Sequence, residues 1–283
     1  MKLPSRFTTK SPSRVKAWGA PVLLAAIAVV FAVQSARTDD NENNEHKATA
    51  ITDCGTVITD SGRYFLANDL KECPDFAISI AASHVQVDLR GHTIQAGGNV
   101  IAASGGDLGL SDLDLIGPGT ITGGDGAGIS FGNVHHSRVH GLVVIRNRFG
   151  MTLNSGDFTS DATVMATVST DNEIRDNVIT GNAFHGITVN GGDDNKFIHN
   201  NLSNNGSNGL FLFAASNNVA RENTADVNGG SGIDTGTAGS GNTILNNIAL
   251  GNNGPDLKDE NGDCIHNTWT NNSFGSNAPA CLQ

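Results

Sequence analysis

The second half of the chain repeats itself. Asn172-Glu-Ile-Arg-Asp-Asn-Val-Ile-Thr-Gly-Asn opens one unit, and Asn195-Lys-Phe-Ile-His-Asn-Asn-Leu-Ser-Asn-Asn opens the next, 23 residues on. Asn218-Val-Ala-Arg-Glu-Asn-Thr-Ala-Asp-Val-Asn follows after another 23, and Asn242-Thr-Ile-Leu-Asn-Asn-Ile-Ala-Leu-Gly-Asn after 24, with a frayed copy near Asn267. Asn177, Asn200, Asn223 and Asn247 recur in one column, and Asn182, Asn205, Asn228 and Asn252 in another. Gly186, Gly209 and Gly232 mark a third, each followed by an apolar residue. A fixed period of this length means a stack of supersecondary units. The apolar runs are too short for helices and alternate with period two, so each unit predicts three short strands and three turns. Stacked coils place equivalent residues ~4.8 Å apart. A buried asparagine in every coil can then hydrogen-bond its copies above and below, which satisfies amides that are costly inside. The Leu-x-x-Leu-x-Leu pattern of leucine-rich repeats, which have a similar period, is absent.

The earlier units are looser. Val85-Gln-Val-Asp-Leu-Arg-Gly-His-Thr-Ile94, Leu113-Asp-Leu-Ile-Gly-Pro-Gly-Thr-Ile121 and Val139-His-Gly-Leu-Val-Val-Ile145 read as further coils. Residues 157–171 fit no column and read as an insertion of about a dozen residues, a side loop on a regular rod. Aromatics make up only 5% of the chain while glycine reaches 35 residues, a balance that fits short strands and tight turns.

On the phrase Val87-Asp-Leu-Arg-Gly-His-Thr-Ile94, the NxIxxN…GNxxxGI units and the ending Asp256-Leu-Lys-Asp259 with Cys264, Trp269 and Cys281, the chain resembles the pectate-lyase-like right-handed β-helix superfamily. Within it, the chain is most similar to bacterial parallel β-helix repeat proteins related to the periplasmic nitrous-oxide-reductase accessory family. The resemblance covers most of residues 51–283 and implies an all-β, single-stranded right-handed parallel β-helix. It implies little about activity, because the superfamily holds polysaccharide lyases, epimerases, hydrolases and inert members. The Asp-Pro-His-Asp signature of mannuronan epimerases is absent.

The first 36 residues differ from the rest. Lys2, Arg6, Lys10, Arg14 and Lys16 precede an apolar run from Ala17 to Val33, the layout of an export signal. If it is uncleaved, residues 17–33 are the membrane contact. Residues 37–50 read as a solvated linker, and the protein is expected in the periplasm, in the medium or anchored at the cell surface. The net charge of −11 becomes −16 without the leader, with twelve Lys/Arg against 28 Asp/Glu. Such a body repels nucleic acid and anionic membranes, and also a polyanionic sugar unless a local basic patch or cation intervenes. Four cysteines in an exported chain favour bridges, and their spacing pairs Cys54 with Cys73 and Cys264 with Cys281.

With the interior apolar or Asn, chemistry belongs on outward columns. Aligning Val87, Leu113, Val139 and Ile174 as inward sets Asp88, Asp114, His140 and Arg175 in one outward column, continued by Ile198 and Arg221. The preceding column, Gln86, Asp112, Arg138, Glu173 and Lys196, alternates in sign as a solvated charge ladder does. Two carboxylates one rung apart raise a pKa or bind a cation, and a neighbouring His and Arg supply an acid/base group and a charge stabiliser. Asp176, His199 and Glu222, at the following bend, form a second catalytic candidate, with acids two rungs apart at ~9.5 Å as in an inverting glycosidase. Arg138, Arg221, His185, Phe211 and Phe213 are candidate substrate contacts, the outward phenylalanines lying under the insertion loop or, alternatively, forming a sugar platform. His135 and His136 supply two metal ligands without a third. Asp259-Glu-Asn-Gly-Asp263 alternates oxygen ligands like a Ca²⁺ loop, without the glycine and distal Glu of an EF-hand. No Gly-x-Ser-x-Gly elbow, phosphate loop or dinucleotide fingerprint occurs. Three functions fit: an exported enzyme acting on a polysaccharide as lyase, epimerase or hydrolase; a non-catalytic binding scaffold or metal-handling accessory protein; or a biosynthetic cyclase using the groove of the rod.

Overall fold

A computed structural model describes residues 48–154, 168–262 and 264–282. The expected leader, most of the linker, residues 157–167 of the insertion and Asp263 lie outside the described residues. What is described is a right-handed parallel β-helix with no helical segment. Each coil runs through three sheets in turn. The first is ten-stranded, with Val85–Asp88, Asp114–Ile116, Arg138–His140, Glu173–Arg175, Lys196–Ile198 and Val219–Arg221 as successive rungs. The chain then turns into a third sheet, exemplified by Val143–Ile145 and Val178–Thr180, and next into a ten-stranded second sheet. Rungs of that second sheet include Phe149–Asn154, Ile187–Asn190, Leu210–Phe213, Ile233–Thr235 and Leu257–Asp259. Every pairing is parallel, so each strand meets its own copy one coil away.

The period-two pattern puts one apolar side chain per strand inside. Val87, Leu115, Val139, Ile174, Phe197, Ala220 and Ile244 stack in the first sheet, and Ile187, Leu210, Ile233 and Leu257 in the second, all buried. At the corners the asparagines pile up as expected. Each Nδ2 of Asn177, Asn200, Asn223 and Asn247 donates to the Oδ1 of the next asparagine at 3.0–3.1 Å, and the backbone N–H of each residue donates to the same oxygen. A parallel ladder runs from Asn147 through Asn182, Asn205, Asn228 and Asn252, where the Asp256 carboxylate closes it. A third joins Asn172, Asn195, Asn218, Asn242 and Asn267. The Gly186–Gly209–Gly232 column is set by crowding, because a Cβ on Gly209 would stand 2.7 Å from the Gly232 carbonyl oxygen.

Both cysteine pairs form, Cys54–Cys73 in the first coils and Cys264–Cys281 in the last. Two expected boundaries shift. Thr49 and Ala50 already pair with Tyr64 and Phe65, so the first strand begins inside the expected linker. Ser169 and Thr170 bond to Val134 and His135 of the coil below, so the regular coil resumes before residue 171.

Candidate functional site

The first sheet corrects the expected outward column. Asp114 pairs with Gln86 and Arg138, while Ile116 stands between Asp88 and His140. This coil is 28 residues long between Gln86 and Asp114, two more than the alignment on Leu113 assumed. A two-residue slip keeps the inward–outward alternation, so Leu113 and Leu115 are both buried and the apolar pattern cannot tell them apart. Asp114 therefore belongs to the charge ladder. Its Oδ1 lies 3.2 Å from His140 Nε2 and its Oδ2 3.5 Å from Arg138. Asp88 instead accepts the Arg90 backbone N–H at 2.9 Å, and Arg175 pairs with Glu173 and Asp176. Of Asp88, Asp114, His140 and Arg175 only Asp114 and His140 meet, and no two carboxylates sit one rung apart in that column.

Asp176, His199 and Glu222 do come together. All three occupy left-handed bends, with φ of 57°, 53° and 59°, directly before the ladder asparagines. His199 bridges the acids, at 3.7 Å from Asp176 and 2.5 Å from Glu222. Arg175 holds the other Asp176 oxygen at 2.7 Å, and Arg221 shares the Glu222 Oε2 that meets His199, at 2.6 Å. The cluster is half exposed and internally neutralised, so every charge already has a partner. Such surface pairs contribute little.

A similar ladder, not foreseen from the sequence, lines the opposite edge of the first sheet. His84, Asp112, His136 and Asp171 occupy consecutive left-handed bends, with His84–Asp112 at 3.2 Å and His136–Asp171 at 3.8 Å. A shallow depression beside it is lined by Asp112, Asp114, His136, Arg138, Asp171 and Glu173. Among the described residues no group of three or more metal-ligating side chains gathers. Asp259 faces inward, where its carboxylate accepts Asn267, Trp269 and Asn261, so that oxygen of the expected Ca²⁺ loop is committed to the core.

The outer face of the second sheet is different. Thr188, Phe211, Asp234 and Lys258 form one outward column on successive rungs. Asp234 is only 3% exposed and Thr188 6%. Among the described residues, Asp234 Oδ1 and Thr188 Oγ1 are the buried side-chain polar atoms without a hydrogen-bond partner. They flank Phe211 on either side. Such atoms are rare in native structures and mark strain, catalysis or a missing partner molecule. The other Asp234 oxygen accepts Asn208 Nδ2 at 3.1 Å and Lys258 Nζ at 3.4 Å, and Lys258 in turn holds Glu260. Burial pushes the Asp234 carboxyl up to about 6, with Glu260 adding to the rise and Lys258 and Asn208 opposing it.

Beside this column the expected platform residues form part of a longer run of rings. Phe184 stacks on Phe149 at 5.4 Å, Phe149 on His185 at 6.2 Å and His185 on Phe211 at 5.1 Å, and Phe213 lies 6.0 Å beyond. Phe184 and Phe213, at 44% and 43% exposed, end the run in solvent. His185 Nδ1 accepts the Asn208 backbone N–H, and burial pushes its imidazole down, so the ring is a neutral stacking partner. Gly236 leaves room for Phe211, whose ring would lie 3.0 Å from a Cβ there. His185, Phe211 and Phe213, expected as substrate contacts, thus share one run of rings. Asp234 was missed, although Ile233-Asp-Thr235 lies 23 residues after Leu210-Phe-Leu212 and shows an acid in mid-strand.

Residues 157–283 match the family model described as a right-handed β-helix region. No curated protein matches the sequence. Among solved structures the chain is similar to the A-module of the Azotobacter vinelandii mannuronan C-5 epimerase AlgE6, with a TM-score of 0.50 and 12% identity over 81% of this chain and 77% of that one. The AlgE4 A-module from the same organism gives 0.47 and 12% over 83% and 78%. The Dettilon tailspike protein gives 0.49 and 17% over 83% and 60%. At these identities the likeness is one of fold.

Proposed function

We propose that this right-handed parallel β-helix repeat protein acts on a polysaccharide at the outer face of its second sheet, with Asp234 as the catalytic general base. The carrying observation is the pairing of a buried carboxylate that keeps one oxygen unpartnered with a run of rings at its side. Rings offer apolar faces to the C–H side of a sugar, and the free oxygen of Asp234, covered in the structure, takes a proton from the sugar or from a water once binding displaces the side chains over it. A carboxyl held near 6 is ionised at neutral pH yet basic enough to accept that proton. The fold shared with a mannuronan C-5 epimerase module supports the substrate class. The two disulfides support an oxidising compartment, which accords with residues 1–36 as an export signal.

The test is turnover on a panel of polysaccharides, followed by unsaturated ends, new reducing ends and change of uronate configuration. Asp234→Asn is expected to lower kcat by about a hundredfold or more. An Asp234→Asn protein as active as the wild type refutes the assignment. Glycan binding without turnover in the wild type, lost in Phe211→Ala, makes the face a binding scaffold instead.

A further inference from the structure

Arg148 stands at the far end of the ring run and has no function yet. Its guanidinium lies 5.2 Å from the Phe184 ring centre and 5.6 Å from that of Phe149. Among the described residues it meets no carboxylate. Six of the ten described bases are tied to an acid, while Arg63, Arg146 and Lys196 share with Arg148 the lack of one. Arg138, Arg175, Arg221 and Lys258 are each tied to an acid. Arg90, the other guanidinium seated over a ring, is tied to Asp88. In a chain with 28 acids against 17 bases, an exposed arginine seated over two aromatic rings and, among the described residues, without a counter-charge is a donor fork kept open.

We infer that Arg148 is a specificity determinant, which reads an anionic substituent, carboxylate or sulfate, on a sugar stacked over Phe149 and Phe184. The inference rests on the second-sheet reading above and adds which glycans that face selects. Arg148 belongs to the Phe149 coil, and Phe184 and His185, then Phe211, then Asp234 follow on successive coils. Three rungs span ~14 Å. A glycan lying along the rings with its reacting residue at Asp234 therefore reaches Arg148 more than one sugar ring away. Arg148 acts there as a remote anchor and not as a catalytic residue. Planar guanidinium matches the two oxygens of a carboxylate or sulfate, and the ring seat limits the entropy lost on binding. The anchor also accounts for how a body of strong negative charge accepts a charged sugar, because salt screens repulsion from surface charges beyond about 8 Å while a contact pair at Arg148 is screened much less.

The test is binding by the full chain, measured by calorimetry with oligomannuronate and oligogalacturonate as carboxylated probes, carrageenan oligomers as sulfated probes and dextran as the neutral probe. The wild type is expected to hold one anionic class at least tenfold more tightly than dextran, and which class wins names the substituent. Arg148→Gln lowers that affinity roughly tenfold and flattens its salt dependence, and Arg148→Lys restores part of it. Because Arg148 is exposed, unchanged thermal unfolding of the variant confirms that the loss is one of binding. An anionic preference that survives Arg148→Gln, or dextran held as tightly as the charged probes, overturns the inference. Neutral binding that Phe211→Ala abolishes and Arg148→Gln leaves alone overturns this inference while leaving the second-sheet reading standing. Failure to bind any glycan removes both.

Discussion

Asn200 shows what a single ladder residue contributes. Its Nδ2 donates to the Ile174 carbonyl at 2.8 Å and to Asn223 Oδ1 at 3.1 Å, while its Oδ1 accepts both the N–H and the Nδ2 of Asn177 at 3.1 Å. Asn200→Ala leaves two buried donors of Asn177 without an acceptor, so chemical denaturation is expected to show a loss of about 3 kcal/mol. Lys196→Ala, on the exposed face of the same coil, is expected to stay within about 0.5 kcal/mol of the wild type. Asp234 behaves in the opposite sense. Its carboxyl is raised to about 6 in the folded chain against an unfolded value near 3.9. The folded state therefore binds the proton more tightly, so this group's contribution to stability is fully present below pH ~3.9 and is lost as pH rises through about 6. Above that pH the ionised, buried carboxylate destabilises the fold by about 3 kcal/mol relative to low pH. Asp234→Asn is expected to raise the Tm at pH 8 and to leave it unchanged at pH 4. If Asp234 is the general base, kcat/KM of the wild type rises with pH through a limb near 6, which Asp234→Asn removes. A variant that gains stability while losing activity is the exchange expected of a strained functional residue.

At the scale of strands and bends, legibility followed period and spacing. The ladders at Asn177 and Asn182 were readable because an interior asparagine tolerates only its own copy at the next level. Coils of 23 residues were readable for the same reason, and Asp176, His199 and Glu222 met as their spacing foretold. The first-sheet site was misread because the coil from Gln86 to Asp114 takes 28 residues, and a slip of two leaves every apolar residue on its proper face. Asp234 escaped because its burial depends on neighbours in the second sheet, and an outward column carries no hydrophobic signal to mark it. Both bend clusters are predicted to be electrostatic decoration. Since Asp176, His199 and Glu222 are half exposed and mutually paired, His199→Ala is expected to cost under ~1 kcal/mol by denaturation and to leave glycan turnover intact. A large loss of turnover in that variant would move the active site from the second sheet to this bend.

Across the whole molecule each coil touches only the coils above and below, so stability is close to a sum of coil and interface terms and the ends are where it frays. Both ends are fastened. Cys54–Cys73 ties the first coil to the third-sheet strand of the next, with Cys73 itself buried, and Cys264–Cys281 ties the last loop to the chain end, where Leu282 packs into the core. Asp256 and Asp259 complete the same task with hydrogen bonds, closing two asparagine ladders that would otherwise end on unpaired amides. Burial raises the Asp256 carboxyl less than four donors from Asn252, Gly275 and Ser276 lower it, so it stays ionised and caps the stack as an anion. Closing a loop of 19 residues removes about 3 kcal/mol of unfolded-chain freedom. In a chain of nearest-neighbour couplings that loss does not spread evenly. Cys54→Ser with Cys73→Ser is expected to speed amide exchange in residues 48–80 and to leave the coils from Asn172 to Asn252 as protected as before. Uniform loss of protection along the rod would mean that the coils fold as one cooperative body, and the additive account of the stack would fail.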